Sequence, residues 1–332
     1  MRRAGIVGAG VAGSVAAHLL LDIMDNVDVF DMSSSYAKPC GEVVPSSTLL
    51  LVRSRGLPVP DIVDRIKIFE FYNEEGRLLR RVEYPEPLWL SIDKSGWVNS
   101  MRESVGVVRR TVKPSRLEGY DLVVDARGPF ASHGSRITVW RAYAATRDFE
   151  ERSAVVISSQ PFGIAWVFGH GDVANVGGGF FGVPNPRRLA EKLVRRLSSA
   201  ALHGDAYSLV TLHPRLRLHE EGRVLAVGEA AGFVQSLGGE GIRPAIESAA
   251  LLADAVAEAG SAGFQRVLDA YALKTRGLMV EARLSSLLLS LARATGPSIM
   301  KRVSRGFIDL WLSGRLREAR RVLSSLYLAK NV

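Results

Sequence analysis

Short apolar runs alternate with polar turns and amphipathic stretches along the whole chain, and their periods predict a mixed α/β protein. Ala4-Gly5-Ile6-Val7 reads as a buried strand, residues 14–21 continue at helical spacing, and Asn26-Val27-Asp28-Val29-Phe30 is a second strand. A helix is expected over 48–55. Residues 66–72 and 77–84 alternate on either side of Asn73-Glu74-Glu75-Gly76, the pattern of a hairpin. Residues 88–94 lead into a helix over 95–105, a further strand covers 106–112, and 120–130 is an apolar strand ending in an acid and a glycine turn. Strands over 136–149 and 153–159 precede a hairpin with arms 161–172 and 173–180, and an amphipathic helix covers 186–199. A strand and a glycine cluster over 222–241 lead into a helix over about 242–259, and from 264 onward the pattern is helical.

The junction of the first strand and first helix carries Gly8-Ala9-Gly10-Val11-Ala12-Gly13. Gly8 permits the tight turn, Gly10 admits a pyrophosphate close to the backbone, and Gly13 lets the helix pack on the strand; the free N–H groups at the helix start then face an anion. The second strand ends at Asp31, where a carboxylate suits ribose hydroxyls. An acid there with no nearby arginine disfavours a 2′-phosphate. This constellation predicts a dinucleotide and leaves FAD and NAD both open.

A second cluster, Gly228-Glu229-Ala230-Ala231-Gly232 followed by Gly238-Gly239-Glu240-Gly241-Ile242, repeats the strand-to-helix geometry. Gly239 and Gly241 free backbone donors at a helix start, a place suited to negative charge developing on the N1/O2 edge of a reduced flavin. Glu229 suits the ribityl or pyrophosphate end. The glycine- and aromatic-rich hairpin around Trp166-Val167-Phe168 and Gly177-Gly178-Gly179 suggests close backbone approach to a ligand, or a kinked sheet with an aromatic core.

Composition narrows the class. The single cysteine, Cys40, excludes an internal disulfide and a cysteine-built metal site, and the six histidines are scattered without metal-ligand spacing, so no metal is expected. No apolar run approaches a membrane span, and Arg2 and Arg3 precede a strand rather than a signal sequence, which predicts a cytoplasmic protein. Of the net +9, most lies between Arg283 and Lys330, where ten Lys or Arg face two acids. Ile308, Trp311, Leu312, Leu316, Leu323, Leu326 and Tyr327 recur there at helical spacing among the arginines, so these basic helices fit either an anionic membrane surface, with peripheral attachment to the inner face of the cell membrane, or a solvated side of packed helices. No nucleic-acid module is evident and aromatics are not interleaved with the charges as a single-strand binder needs, so no nucleic-acid partner is expected.

Three blocks in order, Gly8 to Asp31 with Lys38-Pro39-Cys40-Gly41-Glu42, then 161–179, then 228–244, resemble the FAD-dependent geranylgeranyl reductase family, part of the para-hydroxybenzoate-hydroxylase-like flavoproteins. The resemblance covers roughly residues 4–260. It implies a Rossmann-type FAD-binding domain built from residues 1–60, 88–132 and 216–260, an inserted antiparallel-sheet substrate domain of 61–87 and 133–215, and a helical C-terminal region of 261–332. By the same resemblance FAD contacts Gly8, Gly10, Ala12, Gly13, Asp31, Cys40, Gly41, Lys94, Asp125, Gly128, Gly228, Glu229, Gly239, Gly241 and Ile242. Trp166, Phe168 and Gly178 line an apolar slot for an isoprenoid substrate. Reduced FAD delivers hydride to a carbon–carbon double bond, and Cys40, Glu42 or a water supplies the proton; the external electron donor is NAD(P)H or a ferredoxin-like iron–sulfur protein. The chain departs from the family pattern at Glu229 in place of Asp, Lys94 in place of Arg, the Asp125-Ala126-Arg127-Gly128 turn, and Gly169 in place of Pro. A flavin monooxygenase or halogenase, or a non-catalytic membrane-associated flavoprotein, is the alternative.

Overall fold

A computed structural model describes residues 2–318. The N-terminal strand β1 (Arg3–Val7) is the centre of a five-stranded parallel sheet with β2 (Asn26–Asp31), β8 (Val108–Arg109), β9 (Leu122–Asp125) and β15 (Val224–Ala226), in the order β15-β9-β1-β2-β8. Strands β1, β9 and β15 are nearly continuous buried apolar runs, as parallel strands covered on both faces require, whereas β2 alternates with polar residues and β8 is exposed at the edge. Helix α1 (Val11–Leu20) packs against α3 (Lys94–Val105) and α5 (Ile242–Ala259), and α5 against α6 (Phe264–Lys274). Close approach is possible because the facing residues are small: Ala12, Ala16 and Ala17 of α1 and Ala245, Ala249 and Ala253 of α5 are all buried.

A seven-stranded sheet holds β5 (Ile68–Asn73), β6 (Leu78–Glu83), β10 (His133–Ala144), β11 (Arg152–Ser159), β12 (Phe162–His170), β13 (Val173–Phe180) and β14 (Leu202–Arg215), ordered β14-β10-β13-β12-β11-β5-β6. All neighbours are antiparallel except β5 and β11. The period of two divides its side chains between the faces. Trp140, Val156, Ala165 and Val167 pack beneath α4 (Arg187–Val194), whereas Phe69, Phe71, Val139, Trp166 and Phe168 face the opposite way. That second face is roofed by Met300, by Ile308 and Leu312 of α8 (Arg305–Leu312), and by α7 (Arg276–Thr295), which meets β14. A small antiparallel sheet of β3 (Val43–Pro45), β7 (Trp89–Ile92) and β4 (Ile62–Ile66), with α2 (Ser47–Ser54) beside it, joins the two larger ones.

The structure departs from the periodicity in places. The strand expected over 66–72 breaks at Lys67, so that β4 and β5 enter different sheets. The strand over 106–112 shrinks to two paired residues at the sheet edge, and the helix over 186–199 ends at Val194. Strand β14 has no counterpart among the expected elements because it is an edge strand: His203, Gly204, Asp205 and Ser208 are not buried and interrupt the alternation. The basic helical stretch resolves partly. Ile308, Leu312 and Leu316 are fully buried against the protein itself, the packed-helix alternative; Arg320, Arg321, Leu323, Leu326, Tyr327 and Lys330 lie outside the described residues.

Candidate functional site

The loop after β1 is fixed by contacts that leave its helix start open. Gly8 has φ +98, and a Cβ there would meet the Ala126 carbonyl oxygen at 2.5 Å; one on Gly13 would fall 1.8 Å from Gly8 O, which is why helix and strand approach this closely. No side chain caps α1 at Gly10, so its first-turn amides are available to an anion. Asp31 anchors the loop, accepting from Ala9 N at 2.6 Å and Ser33 N at 2.8 Å. Arg102, buried on α3, donates to Ala9 O and Ser33 O and lies 3.6 Å from the Asp31 carboxylate. The absence of an arginine near Asp31 in sequence is therefore corrected by the fold, and the acid does not by itself speak against a 2′-phosphate.

Gly8, Gly10, Ala12, Asp31, Lys38, Cys40, Gly41, Glu42, Lys94, Gly128, Glu229, Gly239, Gly241, Ile242, Trp166 and Phe168 all border one cavity of about 1270 Å³. That exceeds the roughly 300–1,000 Å³ typical of a single small-molecule cleft and leaves room for a cofactor and a second molecule. Four expected site residues are not on its wall. Gly13 and Gly228 lie behind it, where a Cβ on Gly228 would meet Ala12 Cβ at 2.8 Å. Asp125 is fully buried and holds Arg127 through paired bonds of 2.9 and 2.6 Å, so Arg127 rather than the acid reaches the cavity. Gly178 faces α4, with Ala190 Cβ 2.8 Å from its Cβ position, and so contributes closeness of packing instead of a substrate wall.

The 36–42 loop borders the cavity under restraint from helix α3 and from the seven-stranded sheet. Asn99 exchanges two hydrogen bonds with Tyr36, Ser208 Oγ donates to Pro39 O, and Asn175 Nδ2 donates to Cys40 O at 3.0 Å. Lys94, 1% exposed, donates from Nζ to Lys38 O and to Cys40 Sγ at 2.9 Å. Burial opposes its charge, but Cys40, Tyr36 and Glu42 outweigh burial and hold its pKa above the ordinary lysine value. Lys38 in turn pairs with Glu229 at 2.9 Å, and Glu229 also accepts from Thr211 N at 2.7 Å. Both carboxylate oxygens of Glu229 are thus engaged by the protein, the longer side chain spanning from loop to sheet.

At the far end the cavity becomes apolar. Trp166 stacks on Phe168 at 6.0 Å, Trp89 meets Phe168 edge-on at 5.8 Å, and Phe71 lies 5.8 Å from Trp311 of α8. Trp166 Nε1 donates to Asn175 Oδ1, so its polar edge is satisfied inside the wall. Behind Cys40 the expected Glu42 is joined by two residues that sequence reasoning missed, Tyr143 and Asn175. Glu42, in the left-handed region at φ +57, accepts from Tyr143 Oη at 2.8 Å and Asn175 Nδ2 at 3.2 Å. Burial and the adjacent Glu42 carboxylate push the Tyr143 phenol far above its ordinary pKa. Asn175 had a signal, being the one polar residue in a buried arm; Tyr143 had none, since only the cross-strand register sets it opposite Asn175.

The residues fit a flavin dinucleotide. The two uncapped helix starts, at Gly10 and Gly241, both border the cavity, Gly239 and Gly241 have open space where a Cβ would stand, and Ser236 Oγ, buried on the wall, has no partner among the described residues. No protein-family model matches the chain. It is 27% identical over 321 residues to a geranylgeranyl diphosphate reductase from Synechocystis sp., covering 80% of this chain and 77% of that protein. A geranylgeranyl bacteriochlorophyll reductase-like structure from Thermoplasma acidophilum superposes with TM-score 0.74 at 15% identity, over 94% of this chain and 92% of that one. The chain is a distant relative of the FAD-dependent geranylgeranyl reductases. It is accordingly a flavin-dependent oxidoreductase with a FAD-type cofactor. A flavin-dependent brominase also superposes, with TM-score 0.68 at 15% identity over 98% of this chain and 99% of that one, and at that identity it speaks for the fold alone.

Proposed function

We propose that the chain saturates carbon–carbon double bonds of an isoprenoid, geranylgeranyl-type lipid. The observation that carries this reading is the continuity of one cavity from the two glycine clusters to a chamber walled by Phe71, Trp89, Trp166, Phe168 and Trp311, with few polar groups to hold anything but hydrocarbon. A reduced FAD held here would supply hydride to one alkene carbon, its electrons coming from an external donor. The protein's part is to bind that cofactor through the Gly8–Gly13 loop and the start of α5, to hold the prenyl chain in a dry slot, and to place a proton source opposite. Cys40 and Glu42, on the wall where the polar and apolar halves meet, are the proton-handling candidates. The similarity to a geranylgeranyl diphosphate reductase supports the same substrate class.

The test is to reduce the flavin-loaded protein without oxygen, mix it with geranylgeranyl compounds and weigh the products. Mass gains in hydrogen pairs with flavin reoxidation support the reading. No gain, or oxygenated or halogenated products when oxygen and halide are admitted, overturns it.

A further inference from the structure

Glu42 is placed as an acid in use rather than as a packing residue. It is 4% exposed, and it holds a backbone conformation that a branched or charged side chain rarely adopts, φ +57. Its Oε2 receives Tyr143 and Asn175, while Oε1 enters none of the hydrogen bonds among the described residues. Beyond Oε2 stands His170, at the end of β12, with Nε2 3.9 Å away and a side chain 14% exposed against 4% for that of Glu42. The ring is held by two contacts: Nδ1 shares a 2.7 Å hydrogen bond with Ser91 Oγ, and the face stacks on Tyr143 at 5.5 Å and 28°. His170 itself is not on the cavity wall. The order is therefore solvent, imidazole, carboxyl, cavity.

We propose that His170 re-supplies Glu42 with the proton that ends on the substrate. The inference rests on the reductase reading given above. Saturating one double bond takes two electrons, which travel with the hydride to one carbon, and one proton, which goes to the other. Glu42 releases that proton from Oε1 and becomes a carboxylate held by Tyr143 and Asn175. His170 Nε2–H then protonates the carboxylate, a turn about Cγ–Cδ presents the acid to the cavity again, and water restores the imidazole proton. The groups facing His170 suit transit rather than storage. Burial holds its pKa below the ordinary histidine value; Glu42 raises it, Arg141 lowers it, and Asp93 and Asp64 raise it, so the ring parts with a proton more readily than an ordinary imidazolium. Gly169 contributes here, since a Cβ at that position would fall 2.2 Å from Asp64 Oδ2; the glycine gives this buried carboxylate its place next to His170.

Two variants of the flavin-loaded protein test the relay. His170→Gln keeps a hydrogen-bonding group near Ser91 but cannot titrate, and His170→Ala leaves room for added imidazole. Multiple-turnover saturation with reductant in excess is expected to slow about tenfold in both, less than the roughly 10²–10⁴-fold of a group acting directly on the substrate, while the first turnover, which uses the proton Glu42 already holds, keeps the parent rate. The parent rate falls as pH rises through the His170 titration, that limb is absent from His170→Gln, and imidazole restores the rate of His170→Ala. Flavin absorbance and melting temperature report whether either variant is folded. A second readout needs no substrate: in histidine NMR titrations, the resonance lost in His170→Gln titrates at lower pH in Glu42→Gln than in the parent. A folded His170→Gln with the parent multiple-turnover rate and pH profile, or a His170 titration indifferent to Glu42→Gln, overturns the relay. If the parent protein itself leaves prenyl compounds unreduced, the reductase reading has failed, a distinct result.

Discussion

Single atoms decide how close the nucleotide loop comes to the sheet. The glycine spacing marks Gly13 as a packing residue, and the structure gives the reason a distance: a Cβ added there would stand 1.8 Å from Gly8 O. Gly13→Ala must push backbone against backbone, so we expect it to cost at least the roughly 1–3 kcal/mol of an overpacked core and to release flavin. Melting temperature and flavin retention after gel filtration check both. The same scale shows what sequence could and could not supply. Gly8, Gly10, Asp31 and Gly239 to Ile242 were legible because backbone geometry and helix ends impose residue types at fixed spacings. Tyr143, His170, Ser91 and Arg102 were not, because each reaches its partner through strand register or helix packing across dozens of intervening residues.

Among the elements, α5 bears the second glycine cluster and is tied to the cavity roof by a buried ion cluster. Arg243, in its first turn, bonds Glu240 at 3.0 Å and Glu247 at 3.2 Å and also pairs with Glu281 of α7, while Arg317 joins Glu247. Three carboxylates share one buried guanidinium. Burial, reinforced by repulsion from Glu240, lifts Glu281 from its ordinary 4.5 to about 7 although Arg243 opposes the shift. The folded state then holds this proton more tightly than the unfolded chain does. Its contribution is full below about 4.5 and is lost as pH rises towards 7. Glu281→Gln removes that slope; the difference is on the order of 2–3 kcal/mol, read from denaturant unfolding at pH 5 and pH 7.5. A parallel slope in parent and variant would place the titration elsewhere. Strand β14 makes the complementary point about legibility: an edge strand with polar residues on its open side carries no clean alternation, so its place beside β10 emerges only from the fold.

The whole molecule is two large sheets set against one cavity, the parallel one presenting helix starts and the antiparallel one presenting aromatic side chains. The order of blocks in sequence foretold both sheets. It did not foretell that the C-terminal helices close the chamber, because an amphipathic helix shows that it buries a face without showing against what. Ile308 and Leu312 pack that face into the aromatic cluster, and Phe307 and Trp311 of the same helix line the cavity. The central claim is that cofactor and hydrocarbon share this one space. The most direct measurement is the rate at which the anaerobically reduced flavoprotein is reoxidised by a prenyl lipid, compared with Ile157→Trp, which intrudes on the chamber and not on the glycine loops. The account predicts substrate-dependent reoxidation in the parent protein and, in the variant, normal flavin binding with reoxidation slowed at least tenfold. Reoxidation that is absent in the parent, or equally fast in a flavin-replete variant, would contradict it.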